Sequence, residues 1–253
     1  MTTRAKVEIV FRRKVRAIWL EQGMALAAKG VDWASAKPEL AKEISADNSG
    51  AETIRKVLEH VRRIWFEPPV SCIGLRESAL AMHRTGESPA MRTVFTWGMT
   101  IAVYPFVGGV AEALGRLLKL QQVVHRADIQ RRLREQHGDR DFVSRITRYD
   151  VSSFLDWGVV IEDKKAGVYL PGSKTHPEKP EHFAWLAEAV LISRNKLQVP
   201  LSELANHPVM FPIAFDKFNS TMLQTSPRLR IERQSLNQEI VFWKDEPTAR
   251  NQL

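Results

Sequence analysis

Arg140-Asp141-Phe142-Val143-Ser144-Arg145-Ile146-Thr147-Arg148-Tyr149-Asp150-Val151-Ser152-Ser153-Phe154-Leu155-Asp156-Trp157-Gly158, followed by Val159-Val160-Ile161-Glu162-Asp163-Lys164-Lys165-Ala166-Gly167-Val168-Tyr169-Leu170, decides the fold. Placed at roughly 100° per residue, Phe142, Val143, Ile146, Phe154 and Trp157 gather on one side of a helix, Arg140–Trp157, and Ser144, Arg145, Arg148 and Ser152 on the other. Asp139 is placed to cap that helix and Gly158 to end it. Two short β-rich runs then flank a polar turn, 162–167, which reads as a hairpin. Upstream, Ala127–Gln136 carries Ile129 and Leu133 inward and stops at Gly138. Before it, Val107–Gln121 puts Val110, Leu114, Leu117 and Leu118 on one side. Three helices and a hairpin in this order make a winged helix-turn-helix, expected over 106–172.

In a helix-turn-helix the second helix of the motif lies in the major groove of DNA. Arginine there holds phosphate or guanine edges, and serine holds either. The expected contacts to double-stranded DNA are therefore Arg140, Ser144, Arg145, Arg148 and Ser152, with Lys164 and Lys165 of the wing on neighbouring phosphate. A solvated helix face and a module that docks a protein compete with that reading. The protein-docking alternative requires Val151 and Leu155 to be exposed as an apolar patch. Asp150 falls in the apolar face, where a carboxylate needs a partner. Arg131 or Arg132 is expected to supply it.

Outward from this module, 1–66 reads as a helical N-terminal domain. Val7–Lys29 is expected to be helix, with Val15, Ile18, Trp19, Gln22 and Leu26 near one face. Arg12, Arg13, Lys14 and Arg16 crowd its start as a secondary basic patch. Asp32 is placed to cap a short helix toward Lys37, and a further helix is expected from Gly50 to Trp65. Residues 67–105 form a helical connector, broken at Gly86-Glu87-Ser88-Pro89. Beyond the Pro/Lys/His-rich loop 171–180, residues 181–246 repeat the order. Helices are expected at Glu181–Lys196, Leu201–Asn206 and Met210–Gln224, then a hairpin of 229–233 and 239–243. This second module would turn Lys217, Asn219, Ser220, Arg230 and Arg233 outward, with Pro208 and Pro212 against it. The fold class is thus mainly α with small β-hairpin wings, a helical N-terminal domain feeding one or two winged helix-turn-helix modules.

The chain's 253 residues are 44% hydrophobic, enough for ordinary cores, and carry a net charge of +8. Residues 1–66 hold 13 Lys/Arg against 8 Asp/Glu, so the basic excess is N-terminal and favours polyanions. A single cysteine, Cys72, excludes an internal disulfide framework and a Cys-rich zinc site, and fits a reducing, cytoplasmic setting. No secretory leader is visible. Nineteen uncharged residues, Thr93 to Ala111, match a membrane span in length, but Pro105 and the glycines read as buried core split into two elements. No phosphate-binding glycine loop, nucleophile elbow or His-Glu-x-x-His pair occurs, so no cofactor, metal or catalytic residue is assigned. The one nuclease-like pattern, Asp150 with Glu162-x-Lys164, would place a carboxylate in a helix and the rest in a turn.

From His125-Arg126-Ala127-Asp128-Ile129-Gln130-Arg131-Arg132-Leu133 through Phe154-Leu155-Asp156-Trp157-Gly158-Val159-Val160, the chain resembles bacterial winged helix proteins over about 65 residues. A helical domain feeding winged helices is similar in architecture to the small accessory proteins of bacterial anti-phage islands, such as BrxA of BREX systems. That resemblance implies a non-enzymatic DNA-binding regulator or subunit, with other defence-system or regulatory proteins as partners. The N-terminal domain would be the element for a homodimer.

Overall fold

Apolar periodicity and its breaks cut the N-terminal half into packed helices. The computed structural model describes residues 10–47, 50–138, 141–215, 218–235 and 238–244. Residues 10–16 form a strap without helix, bent at Arg12 and Arg13, where their spacing suggests a helix. The first helix, α1 (Ala17–Ala28), starts only after them. Val15 is buried from this strap rather than from a helix face, and Ile18 is exposed. Asp32 caps α2 (Trp33–Ala46), its side chain accepting from Ser35 N at 2.8 Å. The helix continues through Pro38, which removes only the one N–H that would bond Ala34. Helix α3 (Ala51–Val61) widens into a π-turn over Arg62–Phe66, closed by Glu67 N on Arg62 O.

After the turn Val70–Cys72 come α4 (Ile73–Arg84), the expected break at 86–89, and α5 (Pro89–Val103). Helix α6 (Pro105–Gln121) leaves α5 at 115°, so the long uncharged stretch is two helices, both largely buried. Among the described residues no single helix is long and apolar enough to cross a membrane.

The next elements are β1 (Val124–His125), α7 (Arg126–His137), α8 (Asp141–Asp156), β2 (Val160–Glu162) and β3 (Val168–Pro171). Gly138 and Gly158 adopt positive φ, 85° and 70°, and turn the chain at the ends of α7 and α8 where a side chain would be strained. The sheet is antiparallel in the order β1-β3-β2, with Val124 opposite Tyr169 and Ile161 opposite Leu170.

The C-terminal part follows the same order. It has α9 (Pro180–Ser193), β4 (Gln198–Pro200), α10 (Leu201–Ala205), α11 (Ser220–Leu223), β5 (Leu229–Ser235) and β6 (Gln238–Trp243). Its sheet is β4-β6-β5, also antiparallel. Of the helix expected over Met210–Gln224 only the last turn forms, as α11. A single 3-10 turn at Pro208–Met210 gives way to irregular chain over 211–215. Phe183, Phe215 and Phe218 still cluster, with ring centroids 5.3 to 6.1 Å apart. Lys217 lies outside the described residues.

The protein is thus mainly helical, with two small antiparallel three-stranded sheets. One cluster of buried apolar side chains runs from Val10 to Val241 across all these elements. Trp97 of α5 stands at its centre. Its ring meets Phe154 at 5.1 Å, Phe211 at 5.4 Å and Trp157 at 6.1 Å, and its Nε1 donates to Val209 O at 3.1 Å. That contact fixes the C-terminal end of α8 against both the helical half and the C-terminal part.

Candidate nucleic-acid interface

Helix α8 buries Val143, Ile146, Val151 and Phe154 and presents a narrow stripe at i, i+4, i+7 and i+11: Asp141, Arg145, Arg148 and Ser152. The arginines are exposed and Ser152 is half-buried. Ser144 lies off the stripe, toward α7. Its hydroxyl accepts from Arg134 (Nη2 at 2.9 Å, Nε at 3.3 Å) and its carbonyl from Gln130, so it joins the two helices instead of standing free. Arg140 lies outside the described residues. Val151 is buried and Leu155 is half-buried against the core, so α8 carries no apolar patch of the kind a protein-docking face would need.

On the other flank of the stripe lies the strap. A non-helical segment inside a protein must pair its backbone groups with something. Val15 N donates to Ser153 Oγ at 2.9 Å, and Val15 O accepts from Trp157 Nε1 at 2.9 Å. Ala17 N donates to Asp156 Oδ1 at 3.0 Å. Arg12 N donates to His60 Nε2 at 3.2 Å. The acceptor role of Nε2 puts the ring proton on Nδ1, which donates to Tyr104 Oη at 2.9 Å. Burial, then the charges of Arg12 and Arg63, lower the His60 pKa to about 3, so this imidazole is neutral.

This pairing decides which cations of the basic patch carry acid partners. Lys14 and Arg16 do: both reach Asp156 (3.0 and 3.2 Å), and Arg16 also binds Asp47. They fasten the strap to the end of α8. Arg12 and Arg13 lie instead beside the N-terminal half of α8. With Lys56 of α3 and Arg145 they line a cleft of about 410 Å³ whose remaining walls are Phe142, Ile146 and Tyr149. Among the described residues no carboxylate lines it. The nearest acid paired with a lining cation is Glu52, 3.0 Å from Lys56. Its hydrogen bonds to Arg55 and Lys56 hold its pKa down to about 2.

Arginines pack on the aromatic rings of the cleft. The Arg13 guanidinium sits 5.8 Å from the Tyr149 centroid and that of Arg148 5.9 Å from the same ring, while Arg145 lies 6.0 Å from Phe142. Arg13 is also held by Thr53 Oγ1 (3.3 Å) and Tyr149 Oη (3.4 Å). Phe142, assigned to the core by its spacing, is half-exposed in this cleft. Lys56, Thr53 and Tyr149 carry no local signal of a site. Lys56 and Thr53 come from a helix some ninety residues earlier, and only the tertiary fold brings them to α8.

Lys164 and Lys165 stand exposed at the hairpin turn. Glu162 closes that turn, accepting from Gly167 N at 2.7 Å, and Arg126 lies 3.6 Å from it. Asp150 is entirely buried on the far side of α8, so Asp150, Glu162 and Lys164 do not converge and the nuclease pattern is not assembled. The partner expected for Asp150 is also missing. Arg131 pairs with Asp128, and among the described residues Arg132 makes no bond to Asp150 and neither Asp150 oxygen has a hydrogen-bond partner. Burial raises its pKa well above the carboxylate range.

In the C-terminal part the expected outward residues are occupied. Asn219 caps α11, Ser220 bonds Glu239 at 2.9 Å, and Arg230 pairs with Glu232 over the Phe242 ring.

No protein-family model, curated protein or solved structure matches the chain.

Proposed function

We propose that the chain is a non-enzymatic protein that binds double-stranded DNA through α8, as a regulator or as the DNA-binding subunit of a larger assembly. The observation that carries this is the convergence of sequence-distant cations, Arg12 and Arg13 of the strap with Lys56 of α3 and Arg145 of α8, around a cleft lined by no acid among the described residues, with Arg148 beside it over the Tyr149 ring. Phosphate contacts supply most non-specific affinity for DNA, and cations without carboxylate partners are free to replace its counterions. The helix-strand-helix-helix-strand-strand order, with the sheet order β1-β3-β2, supports reading 105–171 as a winged helix whose second motif helix is α8. In such a fold Arg145 and Arg148 reach base edges or phosphate, and Lys164 and Lys165 at the wing reach phosphate alongside.

The test is fluorescence anisotropy of a random-sequence duplex of about 30 base pairs, titrated with full-length protein across a salt series. Affinity that falls linearly on a log–log plot against salt supports the proposal. Absence of binding at the lowest salt overturns it.

A further inference from the structure

A duplex presents phosphates and groove edges to a protein, but its bases stay stacked and cannot enter a cleft with aromatic walls. The cleft beside α8 has more than phosphate-binding chemistry. Its cations lie at the strap, α3 and α8, while Phe142, Ile146 and Tyr149 give it apolar and aromatic surface. About 410 Å³ is within the range of small-ligand pockets. Tyr149 is flanked by the Arg13 and Arg148 guanidinia and Phe142 by that of Arg145, so flat π-surface and positive charge alternate along one wall. A flat ring with an attached phosphate satisfies both halves of that chemistry. Unstacked bases are held on aromatic rings and guanidinium planes in this way.

We infer that the cleft of Arg12, Arg13, Arg145, Phe142 and Tyr149 receives an unpaired DNA nucleotide, so that the protein binds a junction of duplex and single strand in preference to duplex alone. This rests on the proposal that the α8 face contacts DNA. The base would lie on Tyr149 or Phe142, and its phosphate would replace water at Arg12, Arg13 and Arg145. Tyr149 is held in place by the same Arg13 that the phosphate would meet, with its hydroxyl 3.4 Å from Arg13 Nη1.

The experiment compares one duplex in two forms, blunt and with a short single-stranded overhang carrying 2-aminopurine, using the full-length protein at fixed salt. Expected are about tenfold tighter binding of the overhang form and a change in 2-aminopurine emission on binding, the scale of one stacked base. Tyr149→Leu should remove the preference and the emission change, so that blunt and overhang forms bind the variant equally, and Tyr149→Phe, which keeps the ring, should retain both. Equal affinity for the two forms, or unchanged emission in the wild type, overturns the nucleotide cleft and leaves duplex binding standing. Overhang binding with no blunt-duplex binding upholds the cleft and overturns duplex binding. Absence of both overturns both.

Discussion

Asp150 offers a prediction that separates burial from charge pairing. Its carboxyl is completely buried, neither oxygen has a partner among the described residues, and its pKa is raised by desolvation alone. The unfolded chain titrates it near the ordinary value of about 3.9. A group whose folded pKa is raised contributes its stability fully below the unfolded pKa, and that contribution is lost as pH rises through the folded pKa. Between those two values each pH unit removes about 1.4 kcal/mol, because the unfolded state sheds a proton that the folded state keeps. Asp150→Asn has nearly the same shape and cannot ionise. It should match the wild type at pH 4, be the more stable of the two at pH 7 to 8, and remove this residue's share of the pH slope. For a chain of this size each kcal/mol raises the midpoint by about 2 to 4 °C. Thermal melts of both proteins between pH 4 and pH 8 read it directly. Parallel curves for the two proteins, or an Asn variant less stable at pH 8, would refute the reasoning, since either means that the native carboxylate has a compensating partner.

Other outcomes follow from specific contacts. Asp156→Ala removes the acceptor of Ala17 N, Lys14 and Arg16, so it should cost roughly 2 to 3 kcal/mol in a urea melt and, by loosening the strap that carries Arg12 and Arg13, weaken DNA binding. Gly115→Ala would set a Cβ 2.0 Å from the Pro208 carbonyl oxygen. Backbone must then move between α6 and the 208–210 turn, at a cost of about 1 to 3 kcal/mol by thermal denaturation. Lys164→Ala/Lys165→Ala should lower the slope of log affinity against log salt by up to about 2 with sequence preference intact, and an unchanged slope would take the hairpin turn out of the interface.

The central module was legible because its helices bury one face and two of them, α7 and α8, end at glycines, so period and punctuation agree there and the β2–β3 hairpin follows. Strand β1 was not legible. Two residues have no period, and Val124–His125 is a strand only because β3 pairs with it. The strap was misread for the opposite reason. Val15 and Trp19 have helical spacing, yet Val15 reaches the core from non-helical chain whose backbone is satisfied by Ser153, Trp157 and His60, contacts made 48 to 142 residues away. Pro208 and Pro212 did announce the missing helix before α11. At the site, Arg145 and Arg148 were visible as a polar face. The sorting of the N-terminal cations into anchors, Lys14 and Arg16, and cleft residues, Arg12 and Arg13, depends on Asp156 and Tyr149 and so appears only once α8 is folded against the strap.

The most direct test of DNA binding through α8 is the affinity of Arg145→Ala/Arg148→Ala for the same random-sequence duplex across the salt series, with folding checked by circular dichroism. Both residues are exposed and make no ion pair among the described residues, so stability should change by less than about 0.5 kcal/mol. The expected result is at least about a tenfold loss of affinity at low salt and a shallower salt slope. A double variant that binds as tightly as the wild type, with the same slope, would contradict it and remove α8 from the interface.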